Sequence, residues 1–161
     1  MNETLLAALY LPLSERIRAV LQEAGKTGLP PVDIFMGVRT FAEQDALYAK
    51  GRTVVNPDGR TAEKPLGNMV TKAPGGSSWH NYGLAADLVF RPGGNWSWAD
   101  SLPWKALGAI GVSCGLEWGG SWKFKDTPHF QMIGSLTLPM AKELYLTGGF
   151  QAVWSKLVKP A

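Results

Sequence analysis

Seven consecutive residues, Leu84-Ala85-Ala86-Asp87-Leu88-Val89-Phe90, constrain this chain more than any other stretch: they are apolar and strand-like, and Asp87 is their only charge. Burying a carboxylate in such a strand without a partner is expensive. The fold must therefore bring one to Asp87, either a metal ion or an arginine or cluster of backbone N–H groups. The chain has only two histidines, His80 and His129. Each lies near an aspartate, in Ser78-Trp79-His80-Asn81-Tyr82-Gly83 ahead of Asp87 and in Asp126-Thr127-Pro128-His129. A hydrolytic zinc site takes three protein ligands from His, Asp, Glu or Cys and leaves a fourth position to water. His80, Asp87 and His129 could supply that set and leave Asp126 free to handle protons. The plainer alternative is two unrelated histidines in a globular domain, and the local context favours the metal.

Composition narrows the remaining classes. A length of 161 residues fits one domain, spanning 1–161, that can bury a core without disulfides. One cysteine, Cys114, excludes an internal disulfide and a thiolate zinc site, and its apolar surroundings read as a buried structural thiol. The net charge of +3 favours anionic partners mildly, and no Lys/Arg run marks a nucleic-acid patch. The first ten residues carry Glu3 and no basic start, and their apolar run stops at Pro12. That is a poor signal peptide and too short for a membrane span. The expectation is a chain made in the cytoplasm without stable membrane insertion.

Along the chain, Ser14 to Ala24 reads as a helix capped by Ser14 and stopped by Gly25. Val32, Ile34, Met36 and Val38 share one parity, as in a strand with one core face. Thr40-Phe41-Ala42-Glu43 has capping-box spacing, so a second helix should run from there to about Lys50, with Arg39 at the strand-to-helix junction. Gly51 to Ser77 lacks a sustained hydrophobic period and reads as a long irregular excursion. Pro103 opens a helix to about Cys114, Glu117-Trp118 and His129 to Met132 read as strands, and Thr137 to Leu146 and Gln151 to Val158 as closing helices separated by Gly148-Gly149. Of the seven tryptophans, Trp79, Trp118 and Trp122 lie near the candidate site.

Ser78, His80, Gly83, Ala85 and Asp87 match the motif Ser-x-His-x-x-Gly-x-Ala-x-Asp, and Asp126 and His129 match an acidic residue three before a histidine. Together they resemble the D-Ala-D-Ala carboxypeptidase family of zinc peptidases, most of all its L-alanyl-D-glutamate peptidase branch, which includes phage endolysins. Gly37-Val38-Arg39-Thr40, Leu47 to Thr53, Gly115 to Gly120 and Pro128-His129-Phe130-Gln131 extend the resemblance, in family order, from Val32 to Gln131. Two departures stand out: Ser121 where an aspartate is expected, and a longer loop from Val54 to Asn68.

The resemblance implies an α+β, Hedgehog/DD-peptidase-like fold in which a small antiparallel sheet flanked by helices carries the zinc site. It implies His80, Asp87 and His129 as Zn2+ ligands, Asp126 as general base, and Arg39 as a cation for substrate carbonyl or carboxylate. Glu117 is the rival base, with a structural acceptor role favoured. Ser78 is expected to orient a ligand or the peptide, Trp79 and Trp122 to contact substrate, and Gly83 to let the backbone turn between ligands. The implied substrate is the peptidoglycan stem peptide, cut between L-Ala and D-Glu by a monomer that binds no nucleic acid. A phage enzyme of this kind would reach the periplasmic wall after holin release. Three alternatives remain: a D-Ala-D-Ala carboxypeptidase, a non-catalytic wall-binding module and a nucleic-acid binder.

Overall fold

The computed structural model describes residues 1–52 and 69–157. The loop expected from Val54 to Asn68 and the expected helix end at Val158 lie outside the described residues.

The N-terminal residues form two helices rather than one. In α1, Glu3–Ala7, the Asn2 side chain caps Leu5 N–H at 3.3 Å, and Leu6 is buried. The next helix, α2, spans Leu11–Lys26 and begins three residues before the expected start at Ser14. Pro12 supplies the start signal, because its fixed φ and missing N–H suit a first turn. Ser14 lies inside the helix, only 3% exposed, so it is not a cap. The apolar stripe runs through Leu13, Ile17, Val20 and Ala24, and Gly25 does not stop the helix.

Strand β1, Val32–Met36, is followed by α3, Phe41–Ala49, whose capping box forms in full. Thr40 Oγ1 accepts from Glu43 N–H at 3.1 Å, while Glu43 Oε2 accepts from Thr40 N–H at 2.7 Å. A short 3-10 turn, Trp79–Tyr82, carries His80 and leads into β2, Ala85–Phe90. Then come α4, Trp104–Ser113, the two-residue β3, Glu117–Trp118, and β4, His129–Gln131. Helix α5, Leu138–Ser155, breaks at Gly148 and Gly149, as the two closing helices anticipated. Cys114, at the end of α4, is half-buried rather than buried.

The four strands form one antiparallel sheet in the order β1-β2-β4-β3. This is the small antiparallel sheet with flanking helices expected of the fold class. Strand β2 is central, and Ala85, Ala86, Leu88, Val89 and Phe90 are all fully buried. That position explains its continuous apolar run and leaves Asp87 as the one charged side chain at the middle of the sheet. From the second half of α5, the Trp154 indole N–H bonds to Tyr82 O at 2.8 Å, tying the histidine-bearing turn to the C-terminal helix. No helix among the described residues is long and apolar enough to cross a membrane.

Candidate metal centre

Sheet register brings the site together. Asp87 and His129 are direct cross-strand partners in the β2–β4 ladder. Opposed residues of an antiparallel pair project to the same face, so these two meet although 42 positions separate them in sequence. His80 arrives from the turn, which Gly83 closes at φ +67° and ψ 23°. That left-handed conformation strains any residue with a Cβ, and a Cβ would also come within 3.0 Å of Trp154. Gly83 therefore turns the chain between His80 and Asp87 as the sequence suggested.

The facing atoms are His80 Nε2, His129 Nδ1 and Asp87 Oδ1. They are 3.2 Å apart between the histidines, 3.2 Å from His80 to Asp87 and 3.5 Å from His129 to Asp87. Hydrogen bonds on the far sides of the rings settle what each atom offers. His80 Nδ1 lies 2.7 Å from Gly37 O, a pure acceptor, so Nδ1 carries the proton and Nε2 presents a lone pair. His129 Nε2 lies 3.0 Å from Gln131 Oε1. The Gln131 amide is oriented by donating to Glu117 Oε2 at 2.9 Å, so Oε1 must accept and His129 Nδ1 presents a lone pair. Two imidazole lone pairs and a carboxylate oxygen thus converge on one point, an arrangement that repels itself unless a cation lies between them. Zinc bonds of about 2.0–2.1 Å in a tetrahedron place neighbouring ligand atoms about 3.3 Å apart. The donor set and spacing fit that ion, and all three residues come from this one chain.

Arg39 supplies the other partner that a buried Asp87 needs. Its Nη2 donates to Asp87 Oδ2 at 2.8 Å, leaving Oδ1 to face the histidines, and its Nη1 donates to Gln44 Oε1 at 2.9 Å. Gln44 is fully buried and anchored in turn to Ala73 O at 2.8 Å. Burial opposes charge on Asp87, but the positive charge and N–H bonds that His80 and His129 offer it when protonated outweigh that and hold the carboxyl far below the usual range.

Asp126 lies on the wall of the same cleft, a cavity of about 710 Å³ that all three cluster residues line. Its N–H donates to Gly119 O at 3.0 Å, and its carbonyl accepts from His129 N–H at 3.2 Å. The turn is so close that a Cβ on Gly119 would fall 2.5 Å from Asp126 O. Although Asp126 is exposed on the cleft wall, desolvation by the surrounding walls raises its pKa, and the Asp87 charge adds to that. His129, His80 and Arg39 oppose the shift without cancelling it.

The expected contact residues fall in different places. Ser78 and Trp79 line the cleft. Trp122 also lines it, with its ring centroid 5.2 Å from that of His129. Trp118 is structural: its indole N–H bonds to Thr127 O at 2.8 Å, and Gly108 and Gly120 press against its ring. Glu117 is exposed and bonded to Gln131, the structural acceptor role favoured for it. Ser121, the departure from the family pattern, bonds back to Trp118 O at 2.8 Å.

Gln131 and Gln44 were missed as site residues because a neutral amide carries no sign of what it will touch. Gln131→Leu should leave the strand in place but remove the acceptor that fixes the His129 tautomer. Loss of such an outer partner costs about 10- to 100-fold in metal affinity. Competition with a chromophoric chelator would measure it, and unchanged affinity would show that the tautomer needs no fixing.

A second prediction follows from His129. Burial disfavours its charged form, but the hydrogen bond that the protonated ring donates to Asp87 and the charges of Asp87 and Asp126 prevail, so its pKa lies above the ordinary value. In the metal-free protein this raised pKa adds stability that is complete below about pH 6.5 and disappears as pH rises through the folded-state value. A metal ion competes with that proton, so metal affinity should rise with pH across the same window and level off above it. Calorimetry in buffers of different ionisation enthalpy should count about one proton released per ion within the window. A pH-independent affinity would contradict this assignment.

Comparison with known proteins agrees with the geometry. A family model described as D-alanyl-D-alanine carboxypeptidase matches residues 71–132, the segment that contains all three candidate ligands and Asp126. The chain is 39% identical over 125 residues to the peptidoglycan L-alanyl-D-glutamate endopeptidase CwlK of Bacillus subtilis, covering 71% of this chain and 68% of that protein. Among solved structures, it resembles the Serratia marcescens L-Ala D-Glu endopeptidase ChiX with a TM-score of 0.53 at 26% identity, over 81% of this chain and 84% of the other.

Proposed function

This chain belongs to the D-alanyl-D-alanine carboxypeptidase family of zinc metallopeptidases, in its L-alanyl-D-glutamate endopeptidase branch, and from that premise we propose that it cuts the stem peptide of peptidoglycan between L-Ala and D-Glu. The observation that carries the reading is the convergence of His80, Asp87 and His129 in an open cleft that also holds Asp126.

Zinc held by those three side chains supplies a Lewis acid that polarises the scissile carbonyl and brings the pKa of water down towards about 7. Asp126 takes the proton given up by the attacking water and returns it to the departing amine nitrogen. A carboxyl whose pKa is raised serves both halves, since it accepts a proton more readily than an ordinary aspartate and still releases it. Arg39 holds the Asp87 carboxylate turned so that Oδ1 faces the histidines, and its fixed charge in the cleft steadies the negative charge developing on the carbonyl oxygen. Ser78 and Trp79 contact the peptide along the wall, and Trp122 shields the centre from bulk water. All the reacting groups lie in one chain, so a monomer suffices.

Digestion of defined muropeptides by the zinc-loaded protein, with the products weighed, tests the reading. The expected products are a muramyl-L-Ala stub and a peptide beginning with D-Glu. Release of terminal D-Ala would make the enzyme a carboxypeptidase instead, and zinc binding without turnover would leave a wall-binding module. The setting we propose is lysis of a bacterial host by a phage, and the net charge of +3 suits an anionic wall. Expression in a Gram-negative cell should lyse it only when a holin is co-expressed.

A further inference from the structure

At the β1 edge of the sheet, the register shifts between Ile34 and Met36, because Ile34 pairs with Leu88 and Met36 with Asp87. Phe35 is the residue left over, and a bulge of this kind re-aims a side chain. Its ring meets Trp96 at 5.2 Å and 77° and Trp98 at 5.0 Å and 88°, both edge-to-face. Arg91 lies 4.6 Å over the Trp96 ring, and Ser97 N–H bonds to Phe90 O at 2.9 Å, tying the tryptophan loop to the end of β2. The trio is therefore fixed on both sides. Yet Phe35 is 37% exposed, Trp96 36% and Trp98 48%. Phe35 and Trp98 also line the cleft that holds the metal ligands. Rigid aromatic rings left open to water along a cleft are a binding platform rather than a core.

We propose that this platform is a sugar subsite, holding the muramyl residue of the glycan strand to which the stem peptide is attached. The assignment rests on the L-Ala/D-Glu reading and deepens it. L-Ala is joined directly to the lactyl group of the muramyl sugar, so only one residue separates that group from the bond to be cut. At about 3.3–3.6 Å of chain per residue, the sugar cannot lie far from the metal. Phe35 matches that reach, since its neighbour Met36 pairs with the ligand Asp87 on the adjacent strand, about 4.8 Å away. A pyranose presents a face of C–H groups for an aromatic ring and keeps its hydroxyls in water.

The far edge of the sheet brings the complementary chemistry to the same cleft. Trp122 and Lys125 line it from the segment that follows β3, across the sheet from β1. A cation there suits the free α-carboxylate of D-Glu, on the other side of the scissile bond. Sheet order therefore gives the substrate a direction, with sugar over β1 and acid beside β3.

The test compares kcat/KM of the zinc-loaded enzyme on a disaccharide-tetrapeptide and on the same tetrapeptide without sugar. The wild type should favour the sugar-bearing substrate by about three- to tenfold, the worth of one aromatic contact. Trp98→Ala and Phe35→Ala should each bring that ratio towards one, and Trp98→Phe should fall between. A wild-type ratio near one, or a ratio that survives both alanine variants, overturns the subsite, and an equal loss on both substrates counts as survival. Should neither substrate be cut between L-Ala and D-Glu, the function reading fails separately. Saturation-transfer NMR with the peptide-free disaccharide then decides the subsite: contacts to the sugar that vanish in Trp98→Ala uphold it, and no transfer in the wild type overturns it.

Discussion

Asp126→Asn should abolish most turnover and leave the metal in place. The substitution preserves shape and keeps the backbone bonds to Gly119 and His129, but an amide can neither accept the proton of the attacking water nor deliver it to the leaving amine. Positioned general acid–base groups contribute about 10²- to 10⁴-fold, so kcat should fall by about 10³-fold. KM should change little, because Asp126 does its work in the transition state. Zinc stoichiometry should stay at that of the wild type, since Asp126 is not among the three converging ligand atoms. Metal analysis and steady-state kinetics on one sample check both halves. A kcat within a few-fold of wild type would remove Asp126 as the base and return attention to Glu117.

The ligands were legible in the sequence because each belongs to a local device with a fixed length. Asp87 lies seven positions after His80, a span filled by a 3-10 turn, a left-handed glycine and the start of a strand. Asp126 and His129 are joined by one tight turn. What local reading could not supply is register. Arg39 and Asp87 are 48 positions apart, and Gln131 reaches Glu117 only because β3 lies beside β4. The aromatic platform escaped for a related reason. The alternation of Val32, Ile34, Met36 and Val38 reads as an unbroken strand, whereas the bulge at Phe35 appears only once β1 is paired with β2. Ser14 shows the opposite limit, because it has the chemistry of a capping residue while Pro12 places the first turn earlier in the chain.

Asp87 ties the metal to the stability of the fold, and two substitutions there should separate the effects. Asp87→Ala removes a metal ligand and also strands Arg39, whose side chain is only 13% exposed and donates to Asp87 at 2.8 Å. Removing one member of a buried pair costs about 3–5 kcal/mol, so the metal-free variant should melt well below metal-free wild type. Asp87→Asn differs in a way the hydrogen bonds define. Its amide oxygen can still accept from Arg39, and its NH₂ group would face the lone pairs of His80 and His129, satisfying them where the wild type needs a cation. The metal-free Asn variant should therefore melt close to the metal-free wild type, and peptidoglycan turnover should be lost in both variants. Zinc at 100 times its dissociation constant adds about 2.7 kcal/mol to a protein that binds it, raising the Tm of a domain this size by about 5–10 °C. Wild type should show that rise and neither variant should. A zinc-dependent rise that persists in Asp87→Asn would place the ion somewhere other than between the two histidines.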